Sequence, residues 1–269
     1  MGVNGNIQSP SEVARCEDPA ISATLPCASC WNKDYAKEIK VNPVKRYADQ
    51  LNSEGESYGY DFGSRQYNLA IFCKTLRKVS VEIRLKIEPD SGVYGTIIEK
   101  SKESLRKGVR ENWESKFSLR IKDPKCGIEI FPIEFKVVFV TANEHYVFRI
   151  HEKYEREGVT GKFLDVSKDT RSWVYAHEFG HCLGLPDEYG YKSGLQHRDQ
   201  VVYYKPDGTL DTPLSVPYNG GNPADPSSTI MAAYGNTAIL KRHGWLIAIE
   251  ARDMLNESGL GRKIECDII

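Results

Sequence analysis

Two histidines stand four residues apart, with a glutamate beside the first, in the run His177-Glu-Phe-Gly-His181. On a helix this spacing places both imidazoles on one face, one turn apart, where a single metal ion can contact both. Glu178 can then reach a metal-bound water without being a ligand itself. The pattern indicates zinc-dependent hydrolysis with Glu178 as the general base.

A third ligand is available a short distance along the chain. Gly184, three residues after His181, can adopt the left-handed conformation that ends a helix abruptly. The chain can then turn back and bring Asp187 to the same metal. Glu250, on a later predicted helix, is a more distant alternative. We therefore predict one Zn²⁺ per chain, and the competing interpretation is an ordinary helix with two histidines and a glycine C-cap.

Two motifs together resemble those of the metzincin clan of zinc peptidases. They are His177-Glu178-x-x-His181-x-x-Gly184-x-x-Asp187 and the later run Ser228-Thr-Ile-Met231. Most metzincins have a histidine where this chain has Asp187, and a minority that includes the snapalysin-like peptidases has aspartate. The resemblance implies that His177, His181 and Asp187 bind the metal and that Met231 forms a hydrophobic floor beneath them. A carboxylate ligand makes the site less positive, which makes Glu178 more important as proton acceptor.

Hydrolysis of an amide also needs a donor for the developing oxyanion. Metzincins that use a tyrosine place it two residues after the methionine, a position that Ala233 occupies here. Tyr234 is one residue further on, and we predict it as the catalytic donor. A tyrosine that merely lines a cleft is the commoner role. The alternative donors are Tyr189, Tyr218 and His243.

The elements that must position these residues follow from hydrophobic periodicity. Apolar residues alternate with polar ones from Val79 to Ile87, which predicts a half-buried strand. Residues 94–113 have helical spacing and should lie on that sheet. Further strands are predicted at 117–121, 135–140 and 146–150.

The second half of the chain should contain the site helix and a final helix. The site helix is predicted to begin after Asp169 or Thr170, either of which can cap it, and to end at Gly184. A last helix is expected over residues 237–255, weakened at Gly244. The order of elements predicts an α+β fold, a twisted mixed sheet with the site helix and a loop-rich C-terminal lobe that ends in a helix, with the cleft between two lobes.

The domain organisation follows from the same pattern. Residues 1–60 are predicted to be an irregular N-terminal arm, and 61–269 the metallopeptidase catalytic domain. Its upper lobe should span about 61–184 and its lower lobe about 185–269. Within the lower lobe, a hairpin turn is predicted at Pro206-Asp-Gly208, in a loop-rich stretch that is expected to set substrate choice.

Seven cysteines are scattered along the chain in an odd number, which is not typical of a disulfide framework. Cys27 and Cys30 form a lone C-x-x-C motif, for which we expect reduced thiols or one local disulfide. Arg15-Cys16 loosely resembles the inhibitory cysteine motif of some metzincins. A free or packed thiol is the favoured interpretation of Cys16.

Composition excludes several classes of partner. The chain has 269 residues and a formal net charge of -1, with both signs interleaved, so no basic stripe indicates nucleic acid. No apolar run approaches the roughly 20 residues that span a bilayer. The N-terminus lacks the apolar segment of a signal peptide. We expect a soluble protein that is cytoplasmic or exported by a dedicated, non-classical secretion system, with its oligomeric state open.

The leading functional hypothesis is a zinc endopeptidase that hydrolyses peptide bonds in a protein or peptide, in the setting of an exported bacterial effector or toxin. One alternative is a zinc amidase or endopeptidase that acts on cell-wall peptides. Another is a non-catalytic, zinc-stabilised binding protein. Glu178 argues against this last alternative, because a purely structural zinc site needs no base and closes its fourth position with Cys or His.

Overall fold

A mixed β-sheet carries the fold. The computed structural model describes residues 30–41, 48–51, 55, 65–189, 200–211, 214–215, 229–232, 235–258 and 263–269. Its strands in chain order are β1 Tyr35–Val41, β2 Ala48–Leu51, β3 Arg65–Phe72, β4 Lys78–Pro89, β5 Ser118–Asp123, β6 Gly127–Val140, β7 Tyr146–His151, β8 Gly158–Thr160, β9 Phe163–Ser167, β10 Gln200–Tyr203, β11 Leu214–Ser215 and β12 Glu265–Ile268.

Nine of these described strands form the main sheet, in the order β12-β5-β6-β4-β7-β9-β8, with β3 and β1 continuing from β4. Strands β6, β4, β7 and β9 are parallel, whereas the pairs at the two ends of the sheet are antiparallel. Strands β2, β10 and β11 form a separate small sheet. With three α-helices among the described residues, the architecture is the α+β class that the sequence predicts. The prediction that the C-terminal lobe ends in a helix is wrong, because β12 follows the last helix and pairs with β5 in the main sheet.

The strand predicted from alternation is β4, and it lies in the middle of the main sheet. Val79, Val81, Ile83 and Leu85 are all buried, as their period of two requires. The predicted helix is α1, Gly95–Trp113, and the residues that it buries include Leu105, Val109 and Trp113. Each large apolar side chain removed from water contributes about 1.5–3 kcal/mol, so this interface holds helix and sheet together.

The helix that carries both histidines is α2, Ser172–Cys182, and it crosses α1 at close range. A Cβ atom on Gly108 of α1 would clash with the backbone oxygen of Ser172, so only glycine permits this approach. The buried indole of Trp113 donates to the carbonyl of Ala176 over 2.8 Å. Tyr146 of β7 donates to the carbonyl of Cys182 over 2.9 Å, which satisfies one of the free carbonyls at the helix end. These hydrogen bonds from α1 and from the sheet fix the position of α2 along its axis.

Two boundary predictions are wrong in detail. The N-cap of α2 is Arg171, without a side-chain cap, because the Thr170 hydroxyl instead accepts from the Ser167 amide and donates to Glu157. The final helix, α3, spans Trp245–Glu257 and follows a 3₁₀ turn, Lys241–Gly244. Residues 237–240 precede that turn and are not helical, since the carbonyl of Ala238 accepts from the amide of Ile230 over 3.0 Å. The hairpin turn predicted at Pro206-Asp-Gly208 is confirmed.

Part of the segment predicted to be irregular belongs to the sheets. Strand β1 pairs antiparallel with β3, and β2 pairs antiparallel with β10. Ile39 is the only fully buried apolar residue of β1 for which the structure describes the side chain. Lys37, Glu38 and Lys40 give this edge strand a polar pattern. Lys37 interrupts the apolar alternation of Tyr35, Ile39 and Val41, so the signal is weaker than in β4.

The expectation for Cys30 is also wrong. Cys30 forms a disulfide with Cys126, which is 96 residues away in the turn between β5 and β6. Cys27 and Cys16 lie outside the described residues. Free and buried thiols are found at Cys73, Cys182 and Cys266. A pairing over this distance cannot be inferred from the spacing of a C-x-x-C motif, because it depends on which strands become neighbours.

In the part of the chain that the structure describes, none of the helices has the length and apolar character needed to cross a bilayer.

The Cys30–Cys126 disulfide predicts a redox-dependent stability. Cys30→Ser with Cys126→Ser should lower the free energy of unfolding by about 2–4 kcal/mol in non-reducing buffer, because the unfolded chain regains the entropy of a long loop. Urea denaturation measures the difference, and the matched control is both proteins in excess reductant, where the difference should vanish. Equal stability in non-reducing buffer, or peptide mapping that joins Cys30 to Cys27, would contradict the assignment.

Candidate metal centre

The C-terminal end of α2 turns the chain back towards its own histidines. Gly184 has a φ of 90°, and its amide donates to the carbonyl of His181 over 2.8 Å. The amide of Leu185 donates to the carbonyl of Gly180 over 3.0 Å. These two bonds form a Schellman motif, which needs a residue in the left-handed region. The glycine therefore ends the helix as predicted and directs Asp187 to the site.

Three side-chain atoms meet at this point. The Nε2 atoms of His177 and His181 are 3.1 Å apart. Oδ1 of Asp187 lies 3.2 Å from Nε2 of His177 and 3.1 Å from Nε2 of His181. Ligand atoms bound tetrahedrally to Zn²⁺ at ordinary distances lie about 3.3 Å from one another, so this triangle has the dimensions that such an ion requires.

Both imidazoles are oriented by backbone carbonyls. Nδ1 of His177 lies 2.7 Å from the carbonyl oxygen of Ile230, and Nδ1 of His181 lies 2.8 Å from that of Leu185. A carbonyl can only accept, so each Nδ1 carries a proton in these bonds and each Nε2 can direct a lone pair at the shared point. Ligand histidines in metal sites are commonly held in this way.

The charges of the triangle are strongly coupled. Burial alone would raise the pKa of Asp187, but His181 and His177 hold it well below its usual range. Burial alone would lower the pKa of His181, whereas the Asp187 carboxylate raises it to about 9. A proton shared between these groups and a divalent cation bound by them would satisfy the same negative charge, so the two should compete.

Glu178 lies inside the same pocket without being part of the triangle. One of its carboxylate oxygens is within 4.8 Å of a ring nitrogen of each histidine. Its Oε2 atom is buried and has no hydrogen-bond partner in the described structure. Burial raises the pKa of Glu178, and the two imidazoles oppose this rise only in part. A buried carboxyl group with a raised pKa, close to the ligand atoms, can accept and return a proton.

Residues 229–231 support the centre from below. Ile230 supplies the carbonyl for His177, and Met231 is fully buried. A Cβ atom on Gly180 would clash with the sulfur of Met231, so the methionine packs directly against the site helix between its two histidines. Ser228 and Ala233 lie outside the described residues. Met231 therefore lies against the helix that carries both histidines, and its role as a floor beneath a bound metal stays a prediction.

A second buried cluster stands directly behind the centre, and sequence reasoning missed it. Glu188, next to Asp187, is only 1% exposed and accepts two hydrogen bonds from Arg242, over 2.8 and 2.9 Å. It also accepts from the hydroxyl of Tyr203 over 2.8 Å and from that of Thr229. His243 brings Nε2 to 3.2 Å. A glutamate directly after a ligand gives no local signal of partners that stand up to 55 residues away.

The backbone of Glu188 is also bound to residues 229–231, which we name the methionine turn. Its amide donates to the carbonyl of Met231 over 2.7 Å. Burial alone would raise the pKa of the Glu188 carboxyl, but His243 and Arg242 hold it well below its usual range. The group is therefore a buried anion with charged and polar partners on several sides, and it fixes the position of the neighbouring Asp187.

The remaining candidates have different surroundings. His243, an alternative oxyanion donor, is buried and faces Glu188, with its Nδ1 accepting from the amide of Leu240. Tyr189 is half-buried and stacks near His177, with ring centroids 6.4 Å apart. Tyr234 and Tyr218 lie outside the described residues. Glu250 is buried on α3, and it is Asp187 that lies against the two imidazoles.

The other two described histidines are held by hydrogen bonds away from the triangle. Nδ1 of His145 accepts from the amide of Arg84 over 3.0 Å. His151 lies 2.7 Å from Asp165 and stacks on Tyr154.

Comparison with known proteins adds no relative to this geometry, since no protein-family model, curated protein or solved structure matches the chain.

The Glu188 cluster generates a stability prediction. Glu188→Gln keeps the size of the side chain but leaves Arg242 buried without its counter-charge, so the free energy of unfolding at neutral pH should fall by about 3–5 kcal/mol. The folded-state pKa of Glu188 lies below its ordinary value of 4.5. Its contribution is therefore present above that pH and is lost as the pH falls through the folded pKa. Urea denaturation at several pH values should show the difference between the two proteins narrowing in acid.

Glu111→Gln is the matched control, because Glu111 is an exposed residue of α1 whose nearest cation, Lys107, is 3.9 Å away. Its effect should stay within about 0.5 kcal/mol. A Glu188→Gln protein as stable as this control would contradict the structural role assigned to the cluster.

Proposed function

We propose that this chain is a zinc-dependent endopeptidase of metzincin-like architecture that hydrolyses peptide bonds in a protein or peptide substrate. His177, His181 and Asp187 are the proposed ligands of one Zn²⁺, and Glu178 is the proposed general base. The observation that carries this proposal is the combination of two features. Three candidate ligand atoms lie 3.1–3.2 Å from one another, and the buried carboxylate of Glu178, which is not one of them, stands beside them.

Each residue has a distinct part in the proposed reaction. Zn²⁺ held by the three ligands would supply a Lewis acid that polarises the scissile carbonyl and acidifies water. Glu178 accepts the proton of the attacking water through its buried Oε2 and delivers it to the leaving nitrogen. The carbonyls of Ile230 and Leu185 keep the two imidazoles in the required orientation throughout. Asp187 supplies the one negative charge of the ligand set, which increases the need for a proton acceptor.

Glu178 also separates this proposal from a structural zinc site. A structural site closes its fourth position with another Cys or His. Among the described residues the groups gathered here are His177, His181, Asp187 and Glu178, and the buried thiol of Cys182 is not one of them. The polar group that does stand beside the triangle is a carboxylate suited to proton transfer.

The sheet favours a polypeptide substrate. Among the described strands β8 is the last of the main sheet, and it pairs antiparallel with β9 and lies against α2. An edge strand can bind an extended peptide through backbone hydrogen bonds, and this one lies next to the helix that carries the proposed ligands. Such a surface would align a chain across the centre, which suits an endopeptidase.

The oxyanion donor is proposed to be a tyrosine. Tyr234 remains the choice from the sequence, and Tyr189 is supported as the alternative by its stacking near His177. Replacing each tyrosine by phenylalanine would distinguish the two, because only loss of the true donor should lower the turnover number while the zinc content stays unchanged.

The disulfide supports export as part of the proposal. Disulfides persist in oxidising compartments, and Cys30–Cys126 joins two distant parts of the chain. This favours a protein that acts outside the reducing cytoplasm, as an exported effector or toxin would.

The first functional prediction concerns the ligands. His177→Ala, His181→Ala and Asp187→Ala should each lose bound zinc, because each removes one corner of the triangle. Elemental analysis of the purified proteins measures the zinc content, and circular dichroism checks that each variant is folded. Full zinc in Asp187→Ala, together with none in Glu250→Ala, would contradict the ligand set.

The second concerns the base. Glu178→Gln should retain one zinc per chain and the wild-type fold, while its turnover falls by about 10²–10⁴-fold, because the amide cannot accept the proton. The substrate screen uses zinc-loaded protein with cell lysate and with peptidoglycan, followed by terminomics and fragment analysis. Near-normal turnover in Glu178→Gln would exclude the general-base role, and cleavage confined to peptidoglycan would indicate a cell-wall enzyme instead.

A further inference from the structure

The 3₁₀ turn that holds Glu188 has a second use. Arg242 and His243 of this turn bind the buried carboxylate, whereas Lys241 and Trp245 line a groove of about 1000 Å³. We name it the basic groove. Its other walls come from β5, β6, α3, the turn after β10, and β12 with the two residues before it. None of the described residues that line the groove belongs to the candidate metal centre.

One wall of the basic groove is built from two cross-strand ion pairs. Arg120 of β5 lies 2.8 Å from Asp267 of β12, and Lys122 lies 3.2 Å from Glu265. The residues of each pair are direct partners in the antiparallel register. Both carboxylates of this wall therefore already have a cation, and the wall itself is close to neutral.

Cations on the remaining walls give the basic groove its charge. Its lining has three acidic residues, Asp207, Glu265 and Asp267, and the six basic residues Arg120, Lys122, Lys205, Lys241, Arg252 and Lys263. Lys205 pairs with Asp211 over 3.6 Å and Arg252 with Asp253 over 2.8 Å, so the unpaired positive charge comes from Lys241 and Lys263. Lys241 and Lys263 are exposed and have no carboxylate within ion-pair distance among the described residues. Asp207 does not neutralise them, because it accepts from Thr209 within its own turn.

The basic groove also has apolar surface. Trp245 is 7% exposed, and Ile128 of β6 is 59% exposed although it belongs to a sheet. Ile264 also lines the groove but is only 2% exposed, so Ile128 is the exposed apolar side chain of the lining. Ile128 is exposed and lines the same groove as Lys241 and Lys263, which suits a ligand that carries both apolar and negatively charged groups.

We propose that the basic groove binds an acidic, partly apolar peptide segment of another protein. Charge complementarity favours an anionic ligand, since Lys241 and Lys263 have no counter-ion within ion-pair distance among the residues that the structure describes. Two unpaired lysines are too few to neutralise a continuous row of phosphates, which disfavours nucleic acid. A peptide can instead place glutamate or aspartate opposite the lysines and a leucine-like side chain on Ile128. The groove would thus act as a docking site remote from the proposed scissile bond.

The test is a binding measurement that does not depend on catalysis. The probe is a fluorescein-labelled peptide of repeated Glu-Glu-Leu, titrated by anisotropy with the full chain carrying Glu178→Gln, so that cleavage cannot interfere. We expect saturable binding that Lys241→Glu with Lys263→Glu weakens by about tenfold or more. Ile128→Ser should weaken it separately, through loss of the apolar contact. Absence of peptidase activity would leave this result unaffected, so the two proposals fail independently.

The matched control is Lys100→Glu with Lys107→Glu, which makes the same change in net charge on exposed positions of α1. This control should bind the peptide within about twofold of the parent protein, because only the groove is proposed as the site. The proposal is overturned by absence of saturable binding, by equal weakening in the control pair, or by oligothymidine of similar length binding as tightly as the peptide.

Discussion

The segments around Asp187 depend on one contact, the buried carboxylate of Glu188 with its partners. Moving a carboxylate out of water costs several kcal/mol, and only well-placed partners offset that cost. Here the partners are Arg242, His243, Tyr203 and Thr229, which come from β10, the methionine turn and the 3₁₀ turn. One side chain thus joins three segments that share little regular structure. Because Asp187 precedes it directly, the same cluster holds one corner of the candidate metal centre.

The position of helix α2 depends on close packing rather than on charge. Helix α2 lies against α1 where Gly108 has no side chain, and against Met231 where Gly180 has none. Trp113 and Tyr146 then bind carbonyls of α2 from the helix and sheet sides. Larger residues at either glycine would displace the helix, and with it both histidines. The centre is therefore assembled where a closely packed layer meets a polar, hydrogen-bonded one.

The 3₁₀ turn Lys241–Gly244 connects the Glu188 cluster with the basic groove. Its buried residues, Arg242 and His243, orient Glu188, while Lys241 and the adjoining Trp245 face the basic groove. A short turn can serve both because successive side chains of a 3₁₀ helix point in directions about 120° apart. The candidate metal centre and the groove thus adjoin the same turn, which is joined to Asp187 through the buried carboxylate of Glu188.

Local sequence determined what depends on neighbouring residues alone. The period of two in β4, the spacing of His177 and His181 on one helix, and the helix end at Gly184 all follow from backbone geometry within a few residues. Tertiary structure decided the rest: the pairing of β1 with β3, the bond between Cys30 and Cys126, and the partners of Glu188. The carbonyl of Ile230 on His177 belongs to the same group. These contacts join residues that are distant in the chain, and no periodicity or propensity records which distant segments become neighbours once the core has packed.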